Sequence, residues 1–372
     1  MKIPFNKPYI TGLELDYISD SINSRKLAGD GPYTKKVHAF FKNRYSVAYP
    51  LLTTSCTDAL EMSAILAGID SDSEVIMPSF TFVSTANAFI LRGAKVVFVD
   101  SLEDTPNIDP QKIEEVITVN TRAIVVVHYA GVACNMDAVL EIAKKHDLFV
   151  IEDAAQGINS YYENRPLGTL GDFGTFSFHE TKNIISGEGG LLSVNNPEFA
   201  QRAEIIREKG TNRSAFFRGE IDKYSWVDIG SSYLATDLIA AFLFAQLESL
   251  DLIQLKRMEI WERYYSNLKQ INYLLPKVPH YATQNGHIFY IKCRNHQEQI
   301  SLIEYLASFG IAATFHYLPL HTSEFFKSKH DGRVLSNSKN WSDVIVRLPL
   351  YPSLSLQDVD FVSEKILSFY ES

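Results

Sequence analysis

Three stretches of this sequence put reactive residue types where an apolar run breaks off. In Val150-Ile151-Glu152-Asp153-Ala154-Ala155-Gln156 a buried-strand pattern ends in carboxylates and small residues. A carboxylate at such a strand end needs a cationic or hydrogen-bonding partner, and a protonated ring nitrogen is one. A helix cap or a metal ligand would use the same residues. In Gly174-Thr175-Phe176-Ser177-Phe178-His179-Glu180-Thr181-Lys182-Asn183, followed by Gly187-Glu188-Gly189-Gly190, a lysine sits in a turn just past a strand. Held in a cleft, its amine is pushed toward the neutral form and can form a Schiff base. A surface lysine would have the same spacing. Thr53-Thr54-Ser55-Cys56-Thr57-Asp58 leads into a helical pattern, so its N–H groups can meet an anion such as a phosphate. A plain N-cap explains it equally. In this order the three describe a phosphate cup, an acid and a lysine, the set an electron-sink cofactor needs. Gly187–Gly190 is not a GxGxxG fingerprint, which argues against a dinucleotide site.

The elements that must position these residues alternate. Glu74–Pro78, Lys95–Asp100, Ala123–His128 and Phe149–Glu152 read as short buried strands. Helical spacing marks Ala59–Ala67, Thr85–Leu91 and Asp137–His146. Strand and helix in alternation predict a mostly parallel sheet covered on both faces, an α/β fold. One long helix is expected from Thr236 to about Leu268. The division falls inside it, giving a large domain over 1–250 and a smaller α/β domain over 251–372. In the latter, His287–Cys293 and Ile311–Tyr317 read as strands and Gln297–Phe309 as a helix ended by Gly310. Ser355-Leu356-Gln357-Asp358 resembles a capping box opening a last helix.

Composition narrows the function classes. The 372 residues carry 35 basic and 44 acidic side chains, a net charge of −9, which disfavours general binding to nucleic acid. Cys56, Cys134 and Cys293 form no CxxC, so neither a disulfide framework, a zinc ribbon nor any other metal site is expected, and a reducing compartment fits. The N-terminus lacks a signal-peptide core and the apolar runs are too short to span a bilayer, so a cytoplasmic protein without membrane attachment is the expectation.

With these residues assembled, the chain resembles the DegT/DnrJ/EryC1/StrS family of sugar-nucleotide aminotransferases over its whole length. The specific pieces are Pro78–Asn87, Ile151–Gln156 and Phe176–Asn183. The resemblance implies a fold-type I enzyme dependent on pyridoxal 5′-phosphate, working as a homodimer with sites at the interface. It implies Lys182 as the Schiff-base lysine and Asp153 as the partner of the pyridinium nitrogen. It places Phe82 against the cofactor face, Gln156 near its phenolic oxygen, and the Ser177 hydroxyl with the N–H groups of Thr57 and Asp58 on its phosphate. Family members place Asn-Tyr-Arg before the Thr-Asp found here at Thr236-Asp237. Ser232-Tyr233-Leu234 stands there instead, with Ser232 in the role of reaching the partner's phosphate. His128–Cys134, Glu208–Ser214 and Asp228–Leu234 resemble a subgroup that uses L-glutamate to aminate C4 of dTDP-4-dehydro-6-deoxy-D-glucose. Its product, dTDP-4-amino-4,6-dideoxy-D-galactose, feeds bacterial surface polysaccharide such as enterobacterial common antigen or O-antigen. A relative giving the gluco epimer or a 3-amino sugar is the rival; a non-catalytic sugar-nucleotide sensor is the rival of another class. For the dianionic sugar nucleotide, Arg213 and Arg218 are candidate diphosphate contacts, and Tyr317 and His321 candidate substrate contacts.

Overall fold

The computed structural model describes residues 2–371. In chain order its strands are β1 (Tyr49–Thr53), β2 (Glu74–Pro78), β3 (Lys95–Val99), β4 (Thr121–Val127), β5 (Phe149–Asp153), the small pair β6 (Tyr161–Tyr162) and β7 (Arg165–Pro166), then β8 (Phe173–Ser177), β9 (Gly190–Val194), β10 (Tyr290–Lys292) and β11 (Ile345–Arg347). Seven of them form one sheet in the order β1-β9-β8-β5-β4-β2-β3. β9 runs antiparallel to both neighbours and every other adjacent pair is parallel. The carboxyl ends of β5 and β8 therefore open on the same edge, where α/β sheets bind ligands.

Strand side chains alternate between two cores. Val75, Met77, Val125 and Ile151 face one side, packed with the helix Cys56–Leu66. Ile76, Ile124, Val126 and Val150 face the other, packed with the helices Pro32–Tyr45 and Asp237–Glu248. A strand covered on both faces has no polar side to show, which is why these runs are unbroken apolar stretches. A third core belongs to the C-terminal unit. It packs β10 and β11 against the helices Leu250–Asn267, His296–Ser308 and Leu356–Glu371.

The expected long helix is two helices, meeting at Ser249 with a bend of 60°. Leu247, Leu250 and Ile253 pack in the sheet core, while Ile260 and Tyr264 pack in the C-terminal core, so the chain turns to serve both. No proline or glycine stands at the break, and nothing local announces it. Ile311–Tyr317 is not a strand; it makes only isolated bridges, Ile3 with Ile311 and Thr314 with Arg347. Ile3 thus packs in the C-terminal core although most residues before 250 belong to the sheet unit. Half of the capping box forms: Ser355 Oγ accepts from Asp358 N at 3.1 Å, while the Asp358 carboxylate takes the Ser355 hydroxyl at 2.7 Å and not its backbone N–H. Among the described residues no single helix is long and apolar enough to cross a membrane.

Candidate active site

The helix after β1 begins where the phosphate cup was expected. Ser55 is its cap, accepting from the Asp58 N–H at 3.0 Å. That bond corrects one expectation: the Asp58 N–H is already satisfied and is not free for a phosphate, and the Asp58 carboxylate takes a hydrogen bond from the Thr54 hydroxyl. Thr57 sits in the first turn, ahead of the intrahelical ladder, and its hydroxyl donates to Ser84 Oγ at 2.9 Å. Ser177 is the last residue of β8 and pairs in register with Gly190 of β9. A Cβ on Gly190 would lie 2.2 Å from the carbonyl carbon of Ser55 and 2.3 Å from Cys56 N. Glycine there lets the helix start abut the strand that carries Ser177, which brings hydroxyl and helix N-terminus to one place. Gly190→Ala is expected to push the helix start away, costing about 1–3 kcal/mol and weakening cofactor binding. Chemical unfolding and a cofactor titration check this; an unchanged midpoint would show that the helix start can retreat freely.

Asp153 ends β5 and is 6% exposed. Its Oδ2 accepts from Thr85 Oγ1 at 2.7 Å, and Oδ1 from Ala155 N at 3.1 Å. Thr81 donates in turn to Thr85 at 2.8 Å. These donors are neutral, so the buried charge still calls for a cation. Its neighbour Glu152 points the other way and is fully engaged, by the N–H groups of Gly168, Leu170 and Gly171 and by His128 Nε2 at 2.9 Å. His128 Nδ1 accepts from Cys134 N, which leaves Nε2 as the donor to Glu152. Gln156 is fixed at both ends: Oε1 accepts from Ala130 N at 2.6 Å and Nε2 donates to the Tyr317 hydroxyl at 3.1 Å. Phe82, 54% exposed, stands with its ring centre 6.0 Å from that of Tyr317. An aromatic face left open beside a buried acid suits a planar ring.

Lys182 lies in the turn between β8 and β9. The turn is closed by Phe178 N to Gly189 O (2.9 Å) and Ser186 N to Phe178 O (2.7 Å). Asn183 anchors it to the C-terminal side: Nδ2 donates to Asn285 O at 2.9 Å, and Oδ1 accepts from His287 Nδ1 at 2.8 Å. Burial pushes the Lys182 ammonium below the ordinary lysine range; the Arg347 charge adds to this, while Cys56 and Asp153 oppose it. The result is an amine biased toward the neutral, nucleophilic form. Lys182, Gln156 and Tyr317 share a cavity of about 300 Å³ with Arg347, His287 and His316.

Not every expected residue comes to this cavity. Arg213 and Arg218 flank the short helix Arg213–Phe217 and line no part of it. Arg213 Nη1 donates to Glu208 at 3.0 Å, and Arg218 is held between Glu204 (2.9 Å) and Glu220 (2.7 Å). With their charges matched within the chain, neither is poised for a diphosphate here. His321 faces the large unit instead, its Nδ1 2.7 Å from Ser79 Oγ, with burial lowering its pKa. Ser232 is exposed, bridged to Glu208 beside the segment that meets β1 through Leu234 and Thr53.

Four cavity residues had no signal of their own in the sequence. Arg257 is buried in the wall and donates to the carbonyls of Gly286, His287 and Leu350; burial lowers it to about 9, and Arg347 adds to the effect. His287 lies well below the usual histidine range because it is buried, with Lys182 and Arg257 repelling a further charge. His316 is lowered to about 3 by burial and then by Arg347. Arg347 is the fourth. All belong to the C-terminal unit or its edge and reach Lys182 only through tertiary pairing.

The model of a family described as the DegT/DnrJ/EryC1/StrS aminotransferase family matches residues 8–367. The spore coat polysaccharide biosynthesis protein SpsC of Bacillus subtilis (strain 168) is 32% identical, covering 98% of this chain and 96% of that protein. GDP-perosamine synthase of Escherichia coli O157:H7 is 32% identical over 99% of this chain and 98% of its own. Among solved structures, the aminotransferase TlmJ from Streptoalloteichus hindustanus superposes with a TM-score of 0.92 at 28% identity, covering 100% of this chain and 99% of that one. The putative sugar aminotransferase Spr1654 from Streptococcus pneumoniae, in its PMP form, gives 0.92 at 25% identity with the same coverage.

Proposed function

From the premise that this chain belongs to the DegT/DnrJ/EryC1/StrS aminotransferase family and is a pyridoxal-phosphate-dependent sugar aminotransferase, we propose that it moves the amino group of L-glutamate to C4 of dTDP-4-dehydro-6-deoxy-D-glucose. The product in this reading is dTDP-4-amino-4,6-dideoxy-D-galactose, with 2-oxoglutarate released, and it serves surface polysaccharide synthesis in the cytoplasm. The observation that carries the substrate is the set of segments His128–Cys134, Glu208–Ser214 and Asp228–Leu234, which resemble one subgroup of the family. Two of them touch the site: Thr54 N donates to Tyr233 O at 3.1 Å, and Ala130 N holds Gln156.

The bound cofactor supplies an electron-poor ring that accepts the electron pair left when the donor's Cα loses its proton. Lys182 would anchor that group, and its amine would carry the proton taken from the donor's Cα. Asp153, fixed by Thr85, would keep the proton on the ring nitrogen. Phe82 would cover a ring face, Gln156 would lie beside the phenolic oxygen, and Ser177 and Thr57 would hold the phosphate. Ser232, exposed on the surface, reaches the phosphate of a partner in a homodimer. The two half-reactions share one site, so ping-pong kinetics are expected.

A second reading is a GDP-linked sugar, favoured by the similarity to GDP-perosamine synthase. Incubation with cofactor, L-glutamate and each keto-sugar nucleotide decides between them. With the dTDP sugar, a small H3–H4 proton coupling in the product means axial nitrogen and the galacto configuration. A large coupling means the gluco epimer, and no turnover beside a productive GDP sugar means that the base was misassigned.

A further inference from the structure

Gln156 and Lys182 follow the neighbouring strands β5 and β8, and past the strand ends the sheet no longer sets their spacing. The pairing stops at Ala154 N to Thr175 O, 2.9 Å. Among the described residues no hydrogen bond runs directly between 155–160 and 178–189. Asn285 spans that gap. It is fully buried, stands ahead of β10 in the C-terminal unit, and does not line the cavity itself. Its Nδ2 donates to Gln156 O and to Ile158 O, both at 2.8 Å, and its Oδ1 accepts from His287 N at 3.1 Å. Its backbone oxygen accepts from Nδ2 of Asn183, the residue after Lys182, at 2.9 Å. Asn183 Oδ1 accepts in return from His287 Nδ1 at 2.8 Å.

A third segment closes on the same amide. A Cβ on Gly131 would lie 2.1 Å from Asn285 Oδ1, and the adjoining Ala130 N holds the Gln156 side chain. A buried amide with both N–H groups used has one orientation, and removing it strips a donor from each of two buried carbonyls. The base of the tie is fixed as well. Gln254 Nε2 donates to Asn285 O at 2.7 Å, while Arg257 donates to Gly286 O at 3.0 Å and to His287 O at 3.2 Å. Both side chains come from the helix Leu250–Asn267. One residue of the C-terminal unit thus sets the distance between two segments of the sheet unit.

We propose that Asn285 is a positioning residue for the amino transfer: held to Gln156 and Ile158 on one side and to Asn183 on the other, it keeps the Lys182 amine in register with the Asp153–Gln156 edge. The assignment rests on the reading above that these two flank the cofactor. Asn285→Ala cuts the tie to Gln156 and leaves the backbone bond to Asn183, and Asn183→Ala cuts the other side. In the holoenzyme each is expected to lower kcat by about 10–10²-fold, the cost of misplacing a reacting group by up to about 1 Å. KM for L-glutamate should stay within about threefold. Because the two ties act in series, the double variant should lose no more than about threefold beyond the worse single one. Gln254→Leu is the control for mere packing. It removes a bond to the same carbonyl, but Arg257 still holds the base, so its unfolding midpoint should fall while kcat stays within about threefold.

A second readout is the pH midpoint of the absorbance change of bound cofactor. Burial holds the Lys182 amine low, and the Cys56, Asp153 and Arg347 groups that act on it are left in place by all three variants. Looser ties admit water, so the midpoint should rise by about half a unit or more in Asn285→Ala and Asn183→Ala and stay put in Gln254→Leu. Losses that multiply in the double variant, an unmoved midpoint, or an equal fall of kcat in Gln254→Leu would overturn the proposal. If Asn285→Ala does not fold, Asn285→Ser carries the same comparison. Turnover that survived in Lys182→Ala would refute the site reading and this proposal with it; an inactive Lys182→Ala beside multiplying losses overturns this proposal alone.

Discussion

Lys182→Ala is expected to cut turnover by at least about 10⁴-fold, because a proton carrier of this kind contributes up to that factor by itself and the substitution also removes the anchor. The reason lies in the amine's surroundings. Burial and the Arg347 charge bias it toward the neutral form, and no nearby group can replace it: His287 and His316 are held neutral, with His287 Nδ1 committed to Asn183. The turn itself should survive, since Asn183 and the 178–189 backbone bonds hold it without the lysine side chain. Stability should therefore change by roughly 1 kcal/mol or less. Steady-state turnover with unfolding curves checks both halves of the statement. Partial rescue of Lys182→Ala by a small added amine would identify the lost function as proton transfer. A variant that kept the wild-type rate would remove Lys182 from the chemistry altogether.

The second large effect belongs to Asp153. Asp153→Asn keeps shape and can still meet the Thr85 hydroxyl and the Ala155 N–H, so only the charge is lost. In a buried site, loss of one preorganised electrostatic partner costs about 10²–10³ in kcat, and that is the expected fall. Thr85→Val supplies the control. It removes the bond that aims the carboxylate and leaves the charge, so about a tenfold loss is expected. The two variants should also differ in cofactor spectrum, since only Asp153→Asn removes the charge proposed to hold the ring proton. Equal effects from both would mean that Asp153 works by packing and not by charge.

Much of this site could be read from the chain because its parts sit where a local pattern ends. Asp153 closes an apolar run, Ser55 opens a helical one, and Lys182 follows a strand and precedes glycines. The parallel strands β2 to β5 were legible for the same reason, a strand buried on both faces being a short, continuous apolar run, whereas the shorter β10 and the segment 311–317 were not. What stayed hidden depends on distant pairing. Thr85 looks like any residue near a helix start until Asp153 is placed beside it. Arg347 reaches the cavity because Thr314 pairs with it and the C-terminal core docks β11 there, and neither fact leaves a trace in spacing. The break at Ser249 escaped because its cause is two competing cores on one apolar stripe. Arg213 and Arg218 are a different case, since in the single chain they lie away from the cavity. A basic cluster in an acidic protein suggested an anion site, yet Glu204, Glu208 and Glu220 already answer those charges.

The clasp between Ile3 and the strand-like segment at Gly310–Ala312 bears on how the protein matures during synthesis. Ile3 N donates to Gly310 O at 2.8 Å and Ala312 N to Ile3 O at 3.0 Å, while Phe5 and Asn6, just behind, form part of the cavity wall. These residues leave the ribosome early, but their docking partners follow after most of the chain has been made. The seven-stranded unit can assemble first, as N-terminal domains generally do, with one side of the lysine pocket still open to water. In that order enclosure would come late, and a prematurely ended chain would carry the lysine and the acid without the Phe5, Arg347 and Leu348 walls of their chamber.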